Sequence, residues 1–346
     1  MDHLKKFFQK KRIFITGHTG FKGSWLTSIL LNFGSKVTGF SIKDEKKHYY
    51  EKFVDYKKVN NIYGNILNIK FLQKKINDHK PEIIFHLAAQ SLVLEGYKKP
   101  YKTFLENCNG VLNILEITRK SNFVKSIVIA TSDKCYKVNG KKIFKETDEL
   151  GGLDPYSSSK AAAEIIFNSY LNLDMKNITG IATVRAGNVI GGGDFSKNRI
   201  IPDCFKSINS KKITLRNPKA IRPWQHVMDV CRGYLMLSKK LYSSPKAYSG
   251  PWNFGPKKND LKVLDLVLKF REISKKKFKI KKLKNKNFKE TKILKLSSQK
   301  SEKKLKWKNL INSESMIRYT VDWYNHFSKN NLAIDVTNKQ IEKFFK

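Results

Sequence analysis

The stretch that decides the fold is RIFITGHTGFKGSWL, which runs from Arg12 to Leu26. It begins with a short β-branched run, Arg12–Thr16, and then passes through glycines into a segment with helical spacing of its apolar residues, 22–33. A strand, a glycine turn and a helix in this order open a βαβ unit. A parallel sheet is therefore expected, with further strand and helix pairs along the chain.

Short apolar strands alternate with helices as far as residue 185. The predicted strands after the first are Lys36–Ser41, 82–88, 126–131 and 180–185, and the predicted helices are 22–33, 71–78, 111–118 and 157–171. Such alternation predicts an α/β fold in which a Rossmann-type, doubly wound parallel sheet is covered by helices on both faces.

After Arg185 the chain is rich in Gly, Asn, Arg and Pro, and its segments are short. We predict an NAD(P)-binding Rossmann domain over residues 1–185 and a smaller C-terminal, mainly substrate-binding region over 186–346, with part of about 222–256 returning to the Rossmann domain. The lysine-rich stretch 274–308 fits strands and turns or, in parts, a solvated loop. The sequence WYNHF, residues 323–327, lies in the last predicted helix.

The charge balance is strongly basic. The 346 residues include 69 Lys and Arg against 29 Asp and Glu, a formal net charge of +40. Nine of the basic residues are arginines and 60 are lysines. Surfaces that recognise nucleic-acid phosphates favour the forked guanidinium of arginine. The composition therefore indicates a lysine-rich protein without a nucleic-acid partner.

The same composition bears on location and metals. Four widely spaced cysteines form no CxxC pair, so neither a zinc site nor a disulfide framework is expected, and no metal is predicted. The basic first residues pass into the first strand without the apolar core of a secretory signal. The longest mostly apolar stretch, IIFHLAAQSLVL, has 12 residues, whereas a membrane helix needs about 20. We expect a cytoplasmic protein with no membrane insertion.

Three glycines in the first turn predict a dinucleotide site. Gly17 allows the tight turn, Gly20 lets a pyrophosphate approach the backbone, and Gly23 permits close packing of helix on strand. The free amides and the dipole at the helix N-terminus then favour phosphate. The position after a strand makes this glycine pattern informative.

The end of the second predicted strand leaves the choice of cofactor open. An NAD site usually carries an acid there for the ribose 2′-hydroxyl, but this strand ends in Ser41. Ser41 can still hydrogen-bond the ribose and Asp44 can reach it, whereas Lys43 can tolerate a 2′-phosphate. We predict NAD and leave NADP as the alternative.

Tyr156 and Lys160 are the candidate catalytic pair. They stand four residues apart after the helix-start signals Asp154 and Pro155, so both side chains lie on one helix face. An ammonium beside a phenol lowers the tyrosine pKa from about 10 towards neutrality. Such a tyrosine can take the proton from a sugar hydroxyl as hydride leaves the carbinol carbon. The motif gains weight beside TSDKCY, residues 131–136, at the end of a predicted central strand.

With these motifs the chain resembles the extended short-chain dehydrogenase/reductase family and, within it, the CDP-glucose 4,6-dehydratases. The resemblance runs from Arg12 to at least Pro256 and rests on GHTGFKGSWL, HLAAQSLV, TSDKCY, YSSSKAAAE, VRAGNVIGGGDF, RIIPD, RPWQHV and NFGP. The FKGSW segment and Lys134 point to the cytidine branch, because dTDP-glucose relatives usually carry FIGS and an acidic residue at the position of Lys134.

The resemblance implies a set of site residues. The catalytic residues it implies are Ser132, Asp133, Lys134, Tyr156 and Lys160. The implied cofactor contacts are Gly17, Thr19, Gly20, Phe21, Lys22, Gly23, Ser41, Asn65, Ile66, Leu87, Ala88, Ala89, Asn107, Tyr156 and Lys160. The implied substrate contacts are Thr131, Asn188, Arg199 and Arg222.

The implied reaction is a redox-neutral dehydration of CDP-glucose, with NAD reduced only transiently. Tyr156 with Lys160 oxidises C4 while Ser132 or Thr131 polarises the 4-hydroxyl. Asp133 protonates the departing 6-hydroxyl, and a base removes the C5 proton. That base is Glu in dTDP relatives; Lys134 can replace it if its amine is neutral. The 4-keto-6-deoxy product suits lipopolysaccharide O-antigen synthesis, and a homodimer or higher oligomer is expected.

Some positions depart from the family pattern. Leu94 and Glu95 stand where relatives commonly carry two arginines, and Asn65 stands where they often have Asp near the adenine. His86 is expected to pack near the cofactor without reacting. Arg185, like Arg199 and Arg222, fits either a nucleotide contact or a structural salt bridge.

Three alternatives remain. A nucleotide-sugar epimerase returns hydride to C4 and needs no acid for a 6-hydroxyl, so Asp133 and Lys134 favour elimination. The same reaction on a dTDP-, UDP- or GDP-linked hexose is the second alternative. A non-catalytic cofactor-binding or nucleic-acid-binding protein would exploit the basic charge, but the presence of Tyr156, Lys160 and Asp133 argues against it.

Overall fold

The centre of the protein is a seven-stranded, fully parallel sheet. In the computed structural model, which describes residues 1–43, 49–138, 140, 143–173, 179–257, 260–282 and 294–346, the strand order is β11-β7-β5-β4-β1-β2-β3. These strands are β1 Arg12–Thr16, β2 Lys36–Ser41, β3 Asn60–Tyr63, β4 Ile83–His86, β5 Ser126–Ala130, β7 Gly180–Ala186 and β11 Gly250–Phe254. The sheet confirms the predicted α/β, Rossmann-type fold.

Every residue of the three neighbouring interior strands β4, β5 and β7 is buried, because helices cover the sheet on both faces. The α-helices are α1 Asp2–Phe8, α2 Phe21–Asn32, α3 Tyr49–Phe53, α4 Ile69–His79, α5 Val93–Lys98, α6 Pro100–Phe104, α7 Gly110–Lys120, α8 Pro155–Leu171, α9 Ile200–Ser210, α10 Val227–Ser243, α11 Pro245–Tyr248, α12 Val263–Ser274, α13 Gln299–Leu305, α14 Ser313–Asn330 and α15 Ile334–Phe345. Short 3₁₀ turns occupy Tyr56–Lys58 and Asp133–Cys135.

Capping residues fix where the main helices begin. Asp154 accepts the Ser157 amide at 3.0 Å at the start of α8, and Pro155 takes the first helical position. Asn68 accepts the Phe71 amide at 3.0 Å and starts α4 in the same way. The helix that carries Tyr156 and Lys160 thus begins where the sequence predicts.

Short secondary sheets lie outside the main one. Strands β8 Asn188–Ile190, β10 Ile221–His226 and β12 Asp260–Lys262 form a three-stranded sheet. Strand β9 Lys212–Leu215 pairs with β13 Lys279–Lys282, and β6 Ile143–Phe144 pairs with β14 Lys295–Leu296. Strand β8 follows β7 after a single residue, so the three-stranded sheet begins at the carboxyl edge of the main sheet.

The C-terminal part differs in detail from the sequence prediction. Residues 323–327 lie in α14, but that helix is not the last, because α15 follows it. Within 274–308 the structure has strands β13 and β14 and helix α13, and residues 283–293 lie outside the described part. The basic first residues form α1, whose Leu4 and Phe8 are buried.

Two apolar clusters fill the two sides of the sheet. One contains Trp25 of α2, Leu235 of α10 and Trp323 of α14. The other contains Ile76 of α4 and Phe167 of α8 together with apolar residues of α7. Among the residues that the structure describes, no helix combines the length and the apolar composition needed to cross a membrane.

Candidate active site

The first glycine turn is shaped by close backbone contacts. Gly17 has φ of 73°, and a Cβ placed there would lie 2.6 Å from the amide nitrogen of Ala88. A Cβ at Gly23 would lie 2.1 Å from the carbonyl oxygen of Gly17. Both positions therefore require glycine. The turn packs directly against the segment that follows β4.

The start of α2 offers an open anion site. Gly20 is the N-cap residue, and no side chain in the described part of the chain caps the helix. A Cβ at Gly20 would meet only the Gly17 carbonyl within 4 Å, so the remaining space there is open. Free amides at an uncapped N-terminus fit the diphosphate of a dinucleotide.

Lys22 adds a cation to this site. Its side chain is half-buried and has no ion-pair partner among the described residues. Burial and, to a smaller extent, the charge of the neighbouring Arg199 lower the pKa of Lys22 to about 8. The charge of Asp133 raises the pKa of Lys22, so Asp133 and Lys22 lie in the same pocket. Phe21 and Thr19, the other predicted cofactor contacts of this turn, are both partly exposed.

The end of β2 is held by a buried imidazole. The Nδ1 atom of His18 lies 3.0 Å from Ser41 Oγ, and its Nε2 atom lies 3.0 Å from Asn61 Oδ1. The Thr19 amide lies 3.4 Å from the same Ser41 oxygen. Lys43 is exposed, and Asp44 lies outside the described residues. Ser41 thus stands at the predicted ribose position, and its hydroxyl already contacts His18 and the Thr19 amide.

Side chains after β3 and β4 arrange the far end of the predicted cofactor site. Asn65 Oδ1 accepts the Leu67 amide at 2.9 Å, and Ile66 is buried. Asn107 is buried and bonds both the amide and the carbonyl of Gln90, at 2.8 and 3.1 Å. It lies in a π-helical turn, Leu105–Asn109, a geometry frequent at functional sites. Asn107 therefore acts on the backbone that follows Leu87, Ala88 and Ala89.

Tyr156 and Lys160 are both buried in the first turns of α8. The Lys160 ammonium lies 3.4 Å from the Ala130 carbonyl at the end of β5. Burial and, to a smaller extent, the charge of Lys22 lower the pKa of Lys160 to about 8. His86 is buried nearby, and its Nδ1 atom lies 2.7 Å from Thr16 Oγ1.

The expectation for the tyrosine pKa is corrected. Burial raises the pKa of Tyr156 above its ordinary value. The Ser132 hydroxyl, the Lys134 ammonium and Arg199 lower the pKa of Tyr156. The positive charge that opposes the effect of burial therefore comes from Lys134 and Arg199, on the side predicted to hold the substrate. Desolvation outweighs the neighbouring cations because the phenol lies deep in the pocket.

The segment after β5 carries two predicted hydroxyls with different surroundings. Thr131 hydrogen-bonds the carboxylate of Glu164, so its hydroxyl is directed into the interior. Ser132 donates to Asp133 Oδ1 at 3.0 Å and hydrogen-bonds Tyr156. Of the two alternatives for polarising the reacting hydroxyl, the geometry favours Ser132.

Asp133 and Lys134 form a close pair. Asp133 is 3% exposed, and its Oδ1 atom lies 3.4 Å from Lys134 Nζ. The Lys134 side chain is 38% exposed. A buried carboxylate, a hydroxyl and an accessible amine therefore meet at the carboxyl end of β5, where parallel sheets place their active sites.

A buried ion pair lies behind this pocket and decides between the two alternatives for Arg185, although its partner Glu164 was not predicted from the sequence. Glu164 and Arg185 are 0% and 1% exposed and pair at 2.7 Å. Arg185 also donates to the Tyr136 hydroxyl at 2.7 Å, and Glu164 accepts a bond from Thr183 at 2.8 Å. Arg185 is therefore a structural cation. The position of Glu164, one helical turn after Lys160, was the available signal.

The remaining predicted substrate residues are spread along the C-terminal side. Asn188 begins β8 and pairs with Trp224 of β10, and Arg222 lies two residues earlier on β10. Arg222 Nη1 lies 3.0 Å from the Ile221 carbonyl. Arg199 contacts Asp194 at 3.3 Å and is one-third exposed. The charge of Arg199 lowers the pKa values of both Lys22 and Tyr156, so its guanidinium lies near the catalytic tyrosine.

In the described part of the chain, no three His, Cys, Asp or Glu side chains come together as a metal site would require. At the end of β5 the buried acid Asp133 instead has the cations Lys22, Lys134 and Arg199 around it. Such a pocket favours a ligand that carries several negative charges.

Comparison with known proteins agrees with this geometry. The profile of the GDP-mannose 4,6 dehydratase family matches residues 14–320. A CDP-glucose 4,6-dehydratase of Salmonella typhimurium is 39% identical over 277 residues, which cover 76% of each chain. A UDP-glucose 4-epimerase of Pisum sativum is 26% identical over 93% of this chain and 96% of its own.

Solved structures share the fold at lower identity. An epimerase of Methanothermobacter thermautotrophicus superposes with a TM-score of 0.85 at 22% identity over 95% of this chain and 96% of its own. A dTDP-glucose 4,6-dehydratase of Bacillus anthracis, solved in complex with NAD, gives 0.77 at 22% identity over 93% and 97%. The match to the family profile over most of the chain and the 39% identical relative lead to one conclusion: the chain belongs to the GDP-mannose 4,6 dehydratase family.

Proposed function

We propose that the protein is a CDP-glucose 4,6-dehydratase that uses bound NAD and forms a 4-keto-6-deoxyglucose nucleotide. The observation that carries the proposal is the buried acid Asp133, joined to Ser132 and Lys134 in the pocket of Tyr156. The 39% identical relative supports the substrate. When bound, NAD supplies an acceptor for the hydride of C4 and returns that hydride to C6.

The first step assigns the base to Tyr156. Its phenolate takes the proton of the 4-hydroxyl, and Ser132, which bonds Tyr156, orients that hydroxyl. Because burial raises the pKa of Tyr156, the phenolate must be stabilised by positive charge in the pocket. Lys134 and Arg199 supply such charge, and Lys160 fixes the end of β5 through the Ala130 carbonyl.

The elimination step needs an acid at the 6-hydroxyl and a base at C5. Asp133 is the acid in this proposal, because one proton can pass from the Lys134 ammonium to the buried Asp133 carboxylate across their 3.4 Å contact. The resulting carboxylic acid gives its proton to the departing 6-hydroxyl, which leaves as water, and the neutral amine accepts the C5 proton. Lys134 is the candidate base, and its accessible side chain can leave the carboxylate to reach the sugar. An epimerase would need neither group, which is why this pair favours dehydration over the epimerisation carried out by several relatives.

The diphosphates of cofactor and substrate are assigned to different cations. The open N-terminus of α2 with Lys22 holds the cofactor diphosphate. Arg222 on β10, Asn188 on the neighbouring β8 and Arg199 at the start of α9 hold the sugar nucleotide. The guanidinium groups suit phosphate because they can donate two parallel hydrogen bonds.

A panel of CDP-, dTDP-, UDP- and GDP-glucose tests the assignment. The 4-keto product is followed by its alkaline absorbance, and CDP-glucose is expected to react fastest without net consumption of NAD. Substrate labelled with deuterium at C4 should give product labelled at C6. Label lost to solvent or to bulk NADH would contradict a dehydratase, and a C4-epimerised sugar without a keto product would establish the epimerase.

We also propose a homodimer built on the outer faces of α6, α7 and α8. Tyr101, Leu112 and Ile165 are 80%, 40% and 60% exposed on these three helices, which pack together. Large apolar side chains in such a group typically mark an interface. Sedimentation should give a dimer for the wild-type chain and a monomer for Leu112→Lys combined with Ile165→Lys. The control Leu268→Lys, an exposed residue of α12, should remain dimeric.

Finally, we propose that the enzyme acts in the cytoplasm, where activated sugars are made, and supplies a deoxysugar precursor for lipopolysaccharide O-antigen. The four cysteines, none of which is in a disulfide, are compatible with a reducing compartment. Loss of the gene product should then remove the deoxysugar from surface polysaccharide, and an unchanged sugar composition would contradict this role.

A further inference from the structure

The six residues after β5, Thr131–Tyr136, are held at both ends by one buried ion pair. Thr131, the first of them, donates its hydroxyl proton to the Glu164 carboxylate, which can only accept. Tyr136, the last, accepts a hydrogen bond from Arg185 Nη1 at 2.7 Å, because a guanidinium can only donate. Glu164 and Arg185 bond each other twice, at 2.9 and 2.7 Å. We refer to these four side chains as the clamp.

The Tyr136 end of the clamp has a fixed direction. With Arg185 donating to its oxygen, the Tyr136 hydroxyl donates its proton to Asn253 Oδ1 at 2.8 Å. The Asn253 amide cannot be turned round, because its Nδ2 atom donates to the Phe144 carbonyl at 3.1 Å. The Tyr136 ring also stacks on the Phe144 ring, with 4.9 Å between their centroids. The hydroxyl and the ring of Tyr136 are therefore held independently.

Between the two ends the backbone forms a single 3₁₀ turn, Asp133–Cys135. The hydrogen bonds inside this turn are long. The Lys134 amide lies 3.2 Å from Ser132 Oγ, and the Cys135 amide lies 3.3 Å from the Ser132 carbonyl. A short 3₁₀ turn has poor hydrogen-bond geometry of its own. The positions of the side chains in this turn therefore depend on how its two ends are held.

The clamp also joins this turn to the helix of the catalytic tyrosine. Glu164 follows Lys160 by four residues on α8, so the two side chains lie on one face of the helix. Lys160 Nζ lies 3.4 Å from the carbonyl of Ala130, the residue before Thr131. The same face of α8 thus contacts the end of β5 at two successive residues.

Resting on the proposed function, we propose that the clamp is the positioning device of the dehydration. Through Thr131 it holds Ser132 at Tyr156, where C4 is oxidised. Through Tyr136 it holds the acid and the amine of the elimination step. Loss of a bond at one end should therefore slow one chemical step more than the other, whereas a merely structural role would affect stability alone.

Tyr136→Phe tests the elimination end, since it keeps the stacked ring and removes only the hydroxyl. With CDP-glucose, kcat should fall at least about tenfold and KM should change less than about twofold, because a misplacement of about 1 Å can cost about 10²-fold in rate. Stopped-flow absorbance should show bound reduced nicotinamide accumulating, because C4 oxidation continues while elimination is slow. The matched control is Tyr234→Phe, which removes a buried hydroxyl that has no hydrogen-bond partner among the described residues. It should leave kcat and the absorbance unchanged.

Thr131→Val tests the oxidation end. Valine keeps the shape of threonine but cannot donate to Glu164, so the formation of reduced nicotinamide should itself slow at least about fivefold and no reduced intermediate should accumulate. Thr131→Ser restores a hydroxyl and should recover most of the wild-type rate. Circular dichroism shows whether each variant is folded, and if Tyr136→Phe did not fold, the comparison of valine with serine at position 131 would decide alone.

Hydrogen exchange of the substrate-free chain tests the clamp without turnover. Amides of residues 132–136 should exchange faster in Tyr136→Phe and in Thr131→Val than in the wild-type chain, and at the wild-type rate in Tyr234→Phe. Unchanged exchange, or reduced thermal stability with an unchanged balance between oxidation and elimination, would overturn the proposal. Faster exchange in a chain that dehydrates none of the four nucleotide sugars would overturn only the proposed function.

Discussion

Tyr156 is the residue at which the first oxidation is tested. Tyr156→Phe removes the hydroxyl proposed to accept the proton of the 4-hydroxyl, so turnover of CDP-glucose should fall at least about 10²-fold while NAD binding is retained. Because burial raises the pKa of Tyr156, wild-type kcat/KM should also increase with pH across the neutral and mildly alkaline range. The control is Tyr170→Phe on the same helix, which contacts Glu116 at 3.2 Å outside the pocket. Turnover within a few-fold of wild type would assign the base elsewhere.

Asp133 tests the elimination separately from the oxidation. Asp133→Asn keeps the shape of the side chain but cannot protonate the departing 6-hydroxyl. The variant should still oxidise C4 and should accumulate the 4-keto-glucose nucleotide together with bound reduced nicotinamide, visible in the near-ultraviolet absorbance. Asp335→Asn, at an exposed position of α15, is the matched control. Normal formation of the 6-deoxy product by Asp133→Asn would move the acid to another group.

Lys134 is the residue at which the removal of the C5 proton is tested. If Lys134 removes the C5 proton, Lys134→Met should block deuterium incorporation from solvent at C5 while C4 oxidation continues. If it is only a cation near the diphosphate, the same variant should raise KM and leave exchange intact. Exchange at the wild-type rate would exclude Lys134 as the base.

At the scale of elements, the sequence is most informative where periodicity and turn chemistry agree. Strand β2 has the predicted bounds, and α2 and α8 begin within two residues of their predicted starts. The glycine turn is predictable because its close contacts exclude any side chain. The helix α15 was missed: the predicted pattern ended with the helix before it, and α15 is held by tertiary packing of its buried residues against α2 and α14.

Hydrogen-bond direction at the site could not be predicted in the same way. Thr131 and Ser132 are adjacent hydroxyl residues, yet one faces Glu164 and the other faces Tyr156. The two hydroxyls point in different directions because Thr131 bonds Glu164. Glu164 lies in the third turn of α8 and contacts the end of β5 only in the folded protein. Likewise, the raised pKa of Tyr156 reflects the depth of the pocket, which no local motif encodes.

The junction of β5, α8 and β7 gives a prediction for stability. Glu164→Gln keeps the side-chain shape but leaves the buried charge of Arg185 without its counter-ion, so the free energy of unfolding should fall by about 3–5 kcal/mol. Glu116→Gln on α7 is the control, because its pairs with Arg119 and Lys120 are partly exposed and should contribute far less to the free energy of unfolding. Urea unfolding measures both, and equal effects would contradict the importance of the buried pair.

At the scale of the whole molecule, three buried histidines couple stability to pH. Burial lowers the pKa of His18 to about 4, and it lowers the pKa values of His86 and His226 to about 3. Their contribution is fully present above pH 6.5 and is lost as the pH falls towards these values, because the unfolded chain then binds protons that the folded chain does not.

Between about pH 6 and pH 4 these three groups alone should reduce the free energy of unfolding by about 3–4 kcal/mol per pH unit. Asp229 acts in the opposite direction, because burial raises its pKa to about 6. Chemical unfolding at a series of pH values measures this slope. His226→Gln should reduce the slope by one proton relative to the wild-type chain, and an unchanged slope in this variant would contradict the buried neutral ring of His226.

The lowered pKa values of Lys22 and Lys160 distinguish these two amines chemically from the other lysines of the protein. Burial lowers the pKa of Lys22 and of Lys160 to about 8, so at pH 8 about half of each is uncharged, against about one in 250 for an ordinary lysine. Lys22 is only half-buried, so reagent can reach it. A limiting dose of an acylating reagent should therefore modify Lys22 ahead of most of the 60 lysines, and bound dinucleotide should protect it. Mass-spectrometric footprinting could then report occupancy of the site without a substrate or an assay.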